Sequence, residues 1–265
     1  MVHQPLALTI VAGLISGIAV AQTGNALLDG TRTSAPSAQL PAVAPSPLTV
    51  EQRGDIFMAR KMYREAIDTF REGPLSDPVL WNKEGIAYHQ LLQLDQAKKS
   101  YEHAIKLKPD YIEALNNLGT VYYATRSFRR AISWYDKALK IAPDQPRSAS
   151  IYMNLGTAWF ARKKYDRATT AYQQALQLDP TVFEHHSNFG VMLEEHSVQD
   201  RAKYHYYVAR LYAKMGKSEL ALQYLRKALE EGFKNKDKLM TDPDLSSLRG
   251  LPEFKQLMAS EPRVL

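Results

Sequence analysis

The sequence predicts an all-α fold, a solenoid of antiparallel helix pairs, five to six in number, closed by a short C-terminal capping helix. Three observations carry that expectation. The stretch NNLGTVYY at 116–123 returns as MNLGTAWF at 153–160 and, altered, as SNFGVMLE at 187–194. Its glycine belongs to a series, Gly54, Gly85, Gly119, Gly156 and Gly190, with steps of 31, 34, 37 and 34 residues. Twelve residues beyond each glycine stands an alanine (Ala66, Ala97, Ala131, Ala168, Ala202), and four further on an aromatic (Phe70, Tyr101, Tyr135, Tyr172, Tyr206). Positions that recur at a steady period mark one structural unit stacked several times.

Residues 1–46 precede the first unit and do not share its pattern. Pro5 to Ala21 (PLALTIVAGLISGIAVA) carries no charge, and Ala19-Val20-Ala21 before Gln22 fits the small-x-small rule for signal cleavage. The run is short for a membrane span of ~20 residues and suits an export signal. Segment 1–21 is therefore expected to be a signal peptide, with a retained membrane anchor as the alternative because MVHQ lacks Lys and Arg. The expected location is extracytoplasmic, periplasmic or secreted. Segment 22–46 is rich in Ala, Ser and Pro without periodicity, the composition of a flexible linker.

The helix pairs are expected over 47–233. Each position in the unit has a steric reason. Two antiparallel helices approach closely only where side chains are small, here the glycine of the first helix and the alanine of the second. Phe57, Tyr88, Tyr122 and Trp159 are placed to fill the seam between neighbouring helices. Pro109, Pro143 and Pro180 end three of the units, since proline lacks the N–H and clashes with the preceding turn. Asp95, Asp166 and Asp200 fall where second helices begin and are expected to cap them. Later in the chain, Ala221 and Ala228 repeat the second-helix spacing, so the helix over 199–215 is expected to serve two hairpins. Residues 234–265 read as a cap, with a helix near 252–259 hiding the last apolar face.

This pattern resembles the tetratricopeptide repeat (TPR), a helix–turn–helix unit of 34 residues, over residues 49–231. The resemblance implies a right-handed superhelix whose first helices line a concave groove. It also implies a use for Asn117, Asn154 and Asn188, each two residues before its glycine. An asparagine ladder at that position is known in those arrays of the family that hold extended peptides, and the resemblance implies that use here. An amide both donates and accepts, so it pairs with a ligand backbone whatever the side chains. The alternative is that the amides only satisfy neighbouring groups of the array. Lys83 interrupts the ladder at the second unit, and His89, Thr120, Tyr123, Thr157 and Phe160 sit on the same face.

No catalytic chemistry is written in the chain. Cysteine is absent, which excludes thiolate zinc sites and cysteine nucleophiles. Phosphate loops, nucleophile elbows and zinc-protease helices are missing. His185, His186, Glu194, Glu195 and His196 cluster in FEHHSNFGVMLEEH. They lack the i to i+3 or i+4 spacing that puts ligands on one helix face, so no metal and no cofactor is expected. Between 96 and 180 the chain has 14 Lys and Arg against 7 acids, a surplus on turns and second helices that reads as a solvated face or as steering toward acidic partners or an anionic membrane.

The expectation is a non-catalytic adaptor that binds an extended segment of another protein, not nucleic acid, in its groove. The second reading is a structural assembly component, self-associating or membrane-tethered through 5–21, that uses its basic outer face.

Overall fold

The computed structural model describes residues 47–183 and 198–259, and within them every regular element is helical. Four hairpins lead the array: α1 (Val50–Ala59) with α2 (Tyr63–Phe70), α3 (Pro78–Gln90) with α4 (Leu94–Leu107), α5 (Ile112–Ala124) with α6 (Phe128–Ile141), and α7 (Ser148–Ala161) with α8 (Tyr165–Leu178). A further hairpin joins α9 (Val198–Lys214) to α10 (Ser218–Glu230). It is followed by α11 (Lys236–Thr241), a 3-10 helix over Pro243–Leu248 and α12 (Pro252–Ala259). The segments 1–21 and 22–46, the first helix of the fifth unit with Asn188 and Gly190, and the histidine cluster lie outside the described residues.

The repeating glycine has one job, to admit an aromatic ring of its own hairpin. A β-carbon built on Gly119 would stand 2.5 Å from Tyr135 Cε1, and one on Gly85 or Gly156 would stand 2.6 Å or 2.5 Å from Tyr101 or Tyr172. These rings are among the fully buried large side chains of the array. The close contact is therefore glycine to ring rather than glycine to alanine. The alanines Ala66, Ala97, Ala131 and Ala168 are buried alongside. In the α9–α10 hairpin the same register puts Ala209 at the glycine position, with Ala221, Leu225 and Ala228 following at the second-helix positions, all fully buried. Helix α9 thus acts as the first helix of a hairpin with α10, as its spacing predicts.

Every turn inside a hairpin passes through a left-handed residue seven places after the glycine position. Lys61, Leu92, Arg126 and Lys163 have φ between 57° and 59°, and Gly216 has φ 72°. Backbone bonds such as Met62 N to Phe57 O at 2.9 Å close these helix ends with a 6→1 pattern. Helix starts are capped unevenly. Thr49 and Gln52 form a reciprocal capping box on α1, and Asp77 Oδ1 accepts from Val79 N at 2.8 Å ahead of Pro78. The expectation for Asp95 and Asp166 is corrected: the cap positions belong to Gln93 and Lys164, and both acids lie inside the first turn. There they favour the positive end of the helix dipole without closing a backbone donor.

The C-terminal cap docks on α9 and α10 through Leu239, Leu245, Leu248 and Phe254, all at most 1% exposed. Arg210 of α9 fixes it from the polar side, with Nε 3.0 Å from Asp242 Oδ2 and Nη2 2.5 Å from Asp244 Oδ2. The expected helix near 252–259 is α12. Among the described residues no helix is long and apolar enough to cross a membrane.

Candidate functional site

First helices sit side by side along one face of the array and form a groove. Its cavity of about 380 Å³ is lined by residues of α1, α3, α5 and α7. The apolar part of the wall is Met58, Ile86, Ile112 and Ile151. Asn82, Asn116 and Asn117 supply amides, and Asp55, Lys83, Glu113, Arg147 and Ser150 complete the lining.

The amides are tied to one another across repeats. Asn117 donates Nδ2 to Asn82 Oδ1 at 3.1 Å, and Asn154 donates Nδ2 to Asn116 Oδ1 at 3.1 Å. Both bonds run from the residue two before the glycine of one repeat to the residue three before the glycine of the previous repeat. Lys83 and Glu51 occupy the same two positions at the start of the array, and Lys83 Nζ lies 3.0 Å from Glu51 Oε1. Lys83 thus does not interrupt the ladder; it supplies an ionic rung. It also lies 2.6 Å from Asp55 Oδ2. Burial opposes the Lys83 charge, yet Asp55 and Glu51 outweigh it and raise its pKa. Arg147 is likewise paired, with Glu113 at 3.0 Å, from α7's cap to α5.

The expected site residues separate into two groups. Lys83 and Asn117 line the groove, while Asn154 sits beneath it, fully buried. The other group is used by the packing of the array itself. Tyr135 Oη donates to Thr120 Oγ1 at 3.5 Å and Tyr172 Oη to Thr157 Oγ1 at 3.2 Å, so these threonines hold the rings that the glycines admit. Tyr123 packs on Phe128 at 5.2 Å and Phe160 on Tyr165 at 5.1 Å between centroids, and both rings are buried. The ligand contacts expected of Tyr123 and Phe160 are replaced by these core contacts. His89, at the matching position, does not line the cavity, and burial lowers its pKa. Asn188 lies outside the described residues.

Sequence reading overlooked Asn82, Asn116, Ile86, Ile112 and the Arg147–Glu113 pair. Asparagine three before the glycine in two successive repeats was the available signal. Among the described residues no group of three His, Asp or Glu side chains could hold a metal ion.

Profiles described as tetratricopeptide repeat or TPR repeat match residues 85–125, 110–181 and 202–231. Curated relatives include the uncharacterized protein ycf37 of Pyropia yezoensis, 39% identical over 62 residues, covering 23% of this chain and 35% of that protein. The ycf37 protein of Guillardia theta is 34% identical over 99 residues, covering 34% of this chain and 56% of that one. Protein O-mannosyl-transferase Tmtc2 of Drosophila melanogaster is 32% identical over 93 residues, 34% of this chain and 10% of the transferase. The chain therefore spans between about a third and a little over half of the ycf37 proteins it matches. Among solved structures, MamA aligns with TM-score 0.47 and 19% identity over 69% of this chain and 96% of that one. The first TPR of Spaghetti (RPAP3), bound to an HSP90 peptide, aligns with TM-score 0.36 and 21% identity over 46% of this chain and 89% of that one. With the helix pairs, the glycine–ring register and the three profile matches together, the chain carries tetratricopeptide repeats, at 85–181 and again at 202–231.

Proposed function

We propose that this chain is a non-catalytic interaction adaptor that holds an extended segment of another protein in the groove between α1, α3, α5 and α7. The observation that carries the reading is the make-up of the groove: four aliphatic side chains beside a row of amides, in a cavity of about 380 Å³. Both cations of the lining already have carboxylate partners, so the groove favours a neutral, apolar stretch over a chain terminus. Its walls are fixed by hydrogen bonds between repeats, and preorganisation lowers the entropy lost when a flexible ligand binds. Asn82, Asn116 and Asn117 line the cavity, and a side-chain amide can both donate to and accept from a ligand backbone.

A library of random peptides displayed on phage and selected against the full chain tests this. Recovered peptides should be rich in uncharged aliphatic residues. They should lose binding to Ile86→Glu and Met58→Glu while binding Lys106→Glu, outside the groove, as before. Selection of peptides that bind both groove variants unchanged would move the site elsewhere. Action outside the cytoplasm is part of the proposal and rests on the sequence of residues 5–21; a fusion to alkaline phosphatase, active only after export, tests it separately.

A further inference from the structure

The turns of the array divide its charge. Stacking antiparallel pairs in one direction places all turns within hairpins along one edge and all turns between hairpins along the other. The first edge, segments 60–66, 91–97, 125–131 and 162–168, holds ten Lys and Arg against three acids. The second, segments 71–77, 108–111, 142–147 and 179–181, holds three against five. Pairing separates the edges further. Arg71 and Arg147 of the second edge bind Glu84 and Glu113 at 3.1 and 3.0 Å. Among the described residues none of the ten cations on the first edge makes an ion pair.

Backbone geometry adds an independent observation on the same edge. Gly216 fills the left-handed turn position of the last hairpin, so the fold accepts glycine there. The other four hairpins place long side chains at that strained position: Lys61, Arg126, Lys163 and, in the second repeat, Leu92. Leu92 is 81% exposed at φ 57°. Neither the backbone nor burial rewards a leucine there. A surface that is anionic outside and apolar within would reward both the cations and the leucine.

We infer that this edge docks on an anionic phospholipid surface, with Lys61, Arg126 and Lys163 near the headgroups and Leu92 reaching into the interface between them. A lipid surface suits the edge better than an acidic protein or a nucleic acid. The ten cations are spread along the edge rather than gathered around one point, and the exposed Leu92 lies among them, which matches a surface charged outside and apolar beneath. Juxtamembrane cations each add to attraction toward anionic lipid, and the attraction fades with salt. Docked by this edge, the array keeps its groove on a separate face, free for a protein segment.

Sedimentation of the full chain with vesicles tests the inference, using phosphatidylcholine alone and phosphatidylcholine mixed with phosphatidylglycerol. Segment 5–21 is present in every variant, so differences between variants report the edge. The Arg126→Glu/Lys163→Glu/Lys164→Glu chain should bind mixed vesicles at least roughly tenfold more weakly than the unaltered chain, with the gap closing as salt rises. Leu92→Asp should weaken binding further, whereas Lys106→Glu/Lys108→Glu near the other edge, or the groove change Ile86→Glu, should leave it unchanged. If the acidic triple variant melts early, Arg126→Gln/Lys163→Gln/Lys164→Gln carries the same comparison. Equal binding of edge variant and unaltered chain overturns the inference, as does equal binding to neutral and anionic vesicles. Loss of binding to poly-glutamate or single-stranded DNA with vesicle binding intact would assign the edge to an acidic macromolecule instead.

Discussion

Asn154 donates its side-chain amide to Asn116, thirty-eight residues earlier, at 3.1 Å in the buried seam between two repeats. The Asn117–Asn82 bond repeats that relationship one unit back, and the Lys83–Glu51 pair replaces it with charge at the start of the array. A polar group withdrawn from water must find a partner, and only one register of neighbouring repeats supplies it. The amides therefore set how each repeat sits on the last before they meet any ligand.

Removing the donor should accordingly be felt in stability. Asn154→Ala strands the Asn116 carbonyl in a buried seam and is expected to lower stability by about 1–3 kcal/mol. Lys83→Met, by contrast, removes two ion pairs whose carboxylates are half-exposed, which together are expected to matter by about 1 kcal/mol or less and to depend on salt. Thermal melts of both variants at low and high salt check this. An Asn154→Ala chain that melts like the unaltered one would mean that the amide bond does not hold the seam.

The glycine–ring contact makes a second expectation. Gly119→Ala gains about 1 kcal/mol of helix propensity but drives a methyl into Tyr135, which is fully buried and cannot swing aside. Overpacking of about 1–3 kcal/mol should leave a net loss, read as a lower melting temperature. Adding Tyr135→Leu should recover part of it, because the pair then copies Ala209 and Leu225 of the last hairpin. No recovery in the double variant would mean that the ring is not what excludes the methyl.

These two contacts differ in how visible they are in the sequence. Glycine and ring sit sixteen residues apart within one repeat, so the pair recurs intact each time the unit is copied, and the capping helix follows from the need to cover the last apolar face. The amide bond joins different positions of adjacent repeats. Comparing like with like pairs Asn117 with Asn154 and Asn82 with Asn116, but does not show that the two columns bond to each other across repeats. The left-handed turns were hidden for a related reason: Lys61, Leu92, Arg126 and Lys163 stand where a glycine would have announced the conformation. Asp95 and Asp166 resemble caps in the sequence because the second helices start just one residue before them, at Leu94 and Tyr165. Groove and core were also inseparable in one dimension, since Tyr123 and Asn117 are less than two turns apart on α5 yet only one of them lines the cavity.

Turn strain gives a third expectation, with opposite signs at equivalent positions. Gly216→Ala meets no neighbour within 4 Å, so only the backbone at φ 72° resists it, by about 1 kcal/mol. Leu92→Gly relieves the same conformation at the expense of a more flexible unfolded chain, for a net gain between zero and about 1 kcal/mol. Chemical denaturation of the two variants measures both. A Leu92→Gly chain less stable than the unaltered one would show that the exposed leucine contributes to folding.

The cap supplies an acid-sensitive contact. Asp244 sits beside Arg210 at 2.5 Å and Lys214 at 3.2 Å. Partial burial works against its ionisation, but the hydrogen bonds and charges of these two cations prevail and hold its carboxyl below the usual value of 3.8. A carboxyl depressed in the folded state binds its proton more readily when unfolded, so its stabilisation is complete above about pH 5 and is lost as pH falls through the folded value. Asp244→Asn lacks this titration. Its melting temperature should lie below that of the unaltered chain at neutral pH, and the two curves should converge as acidification carries the pH below the folded value. A gap that stays constant across that range would mean that Asp244 holds the cap through its shape and hydrogen bonds rather than its charge.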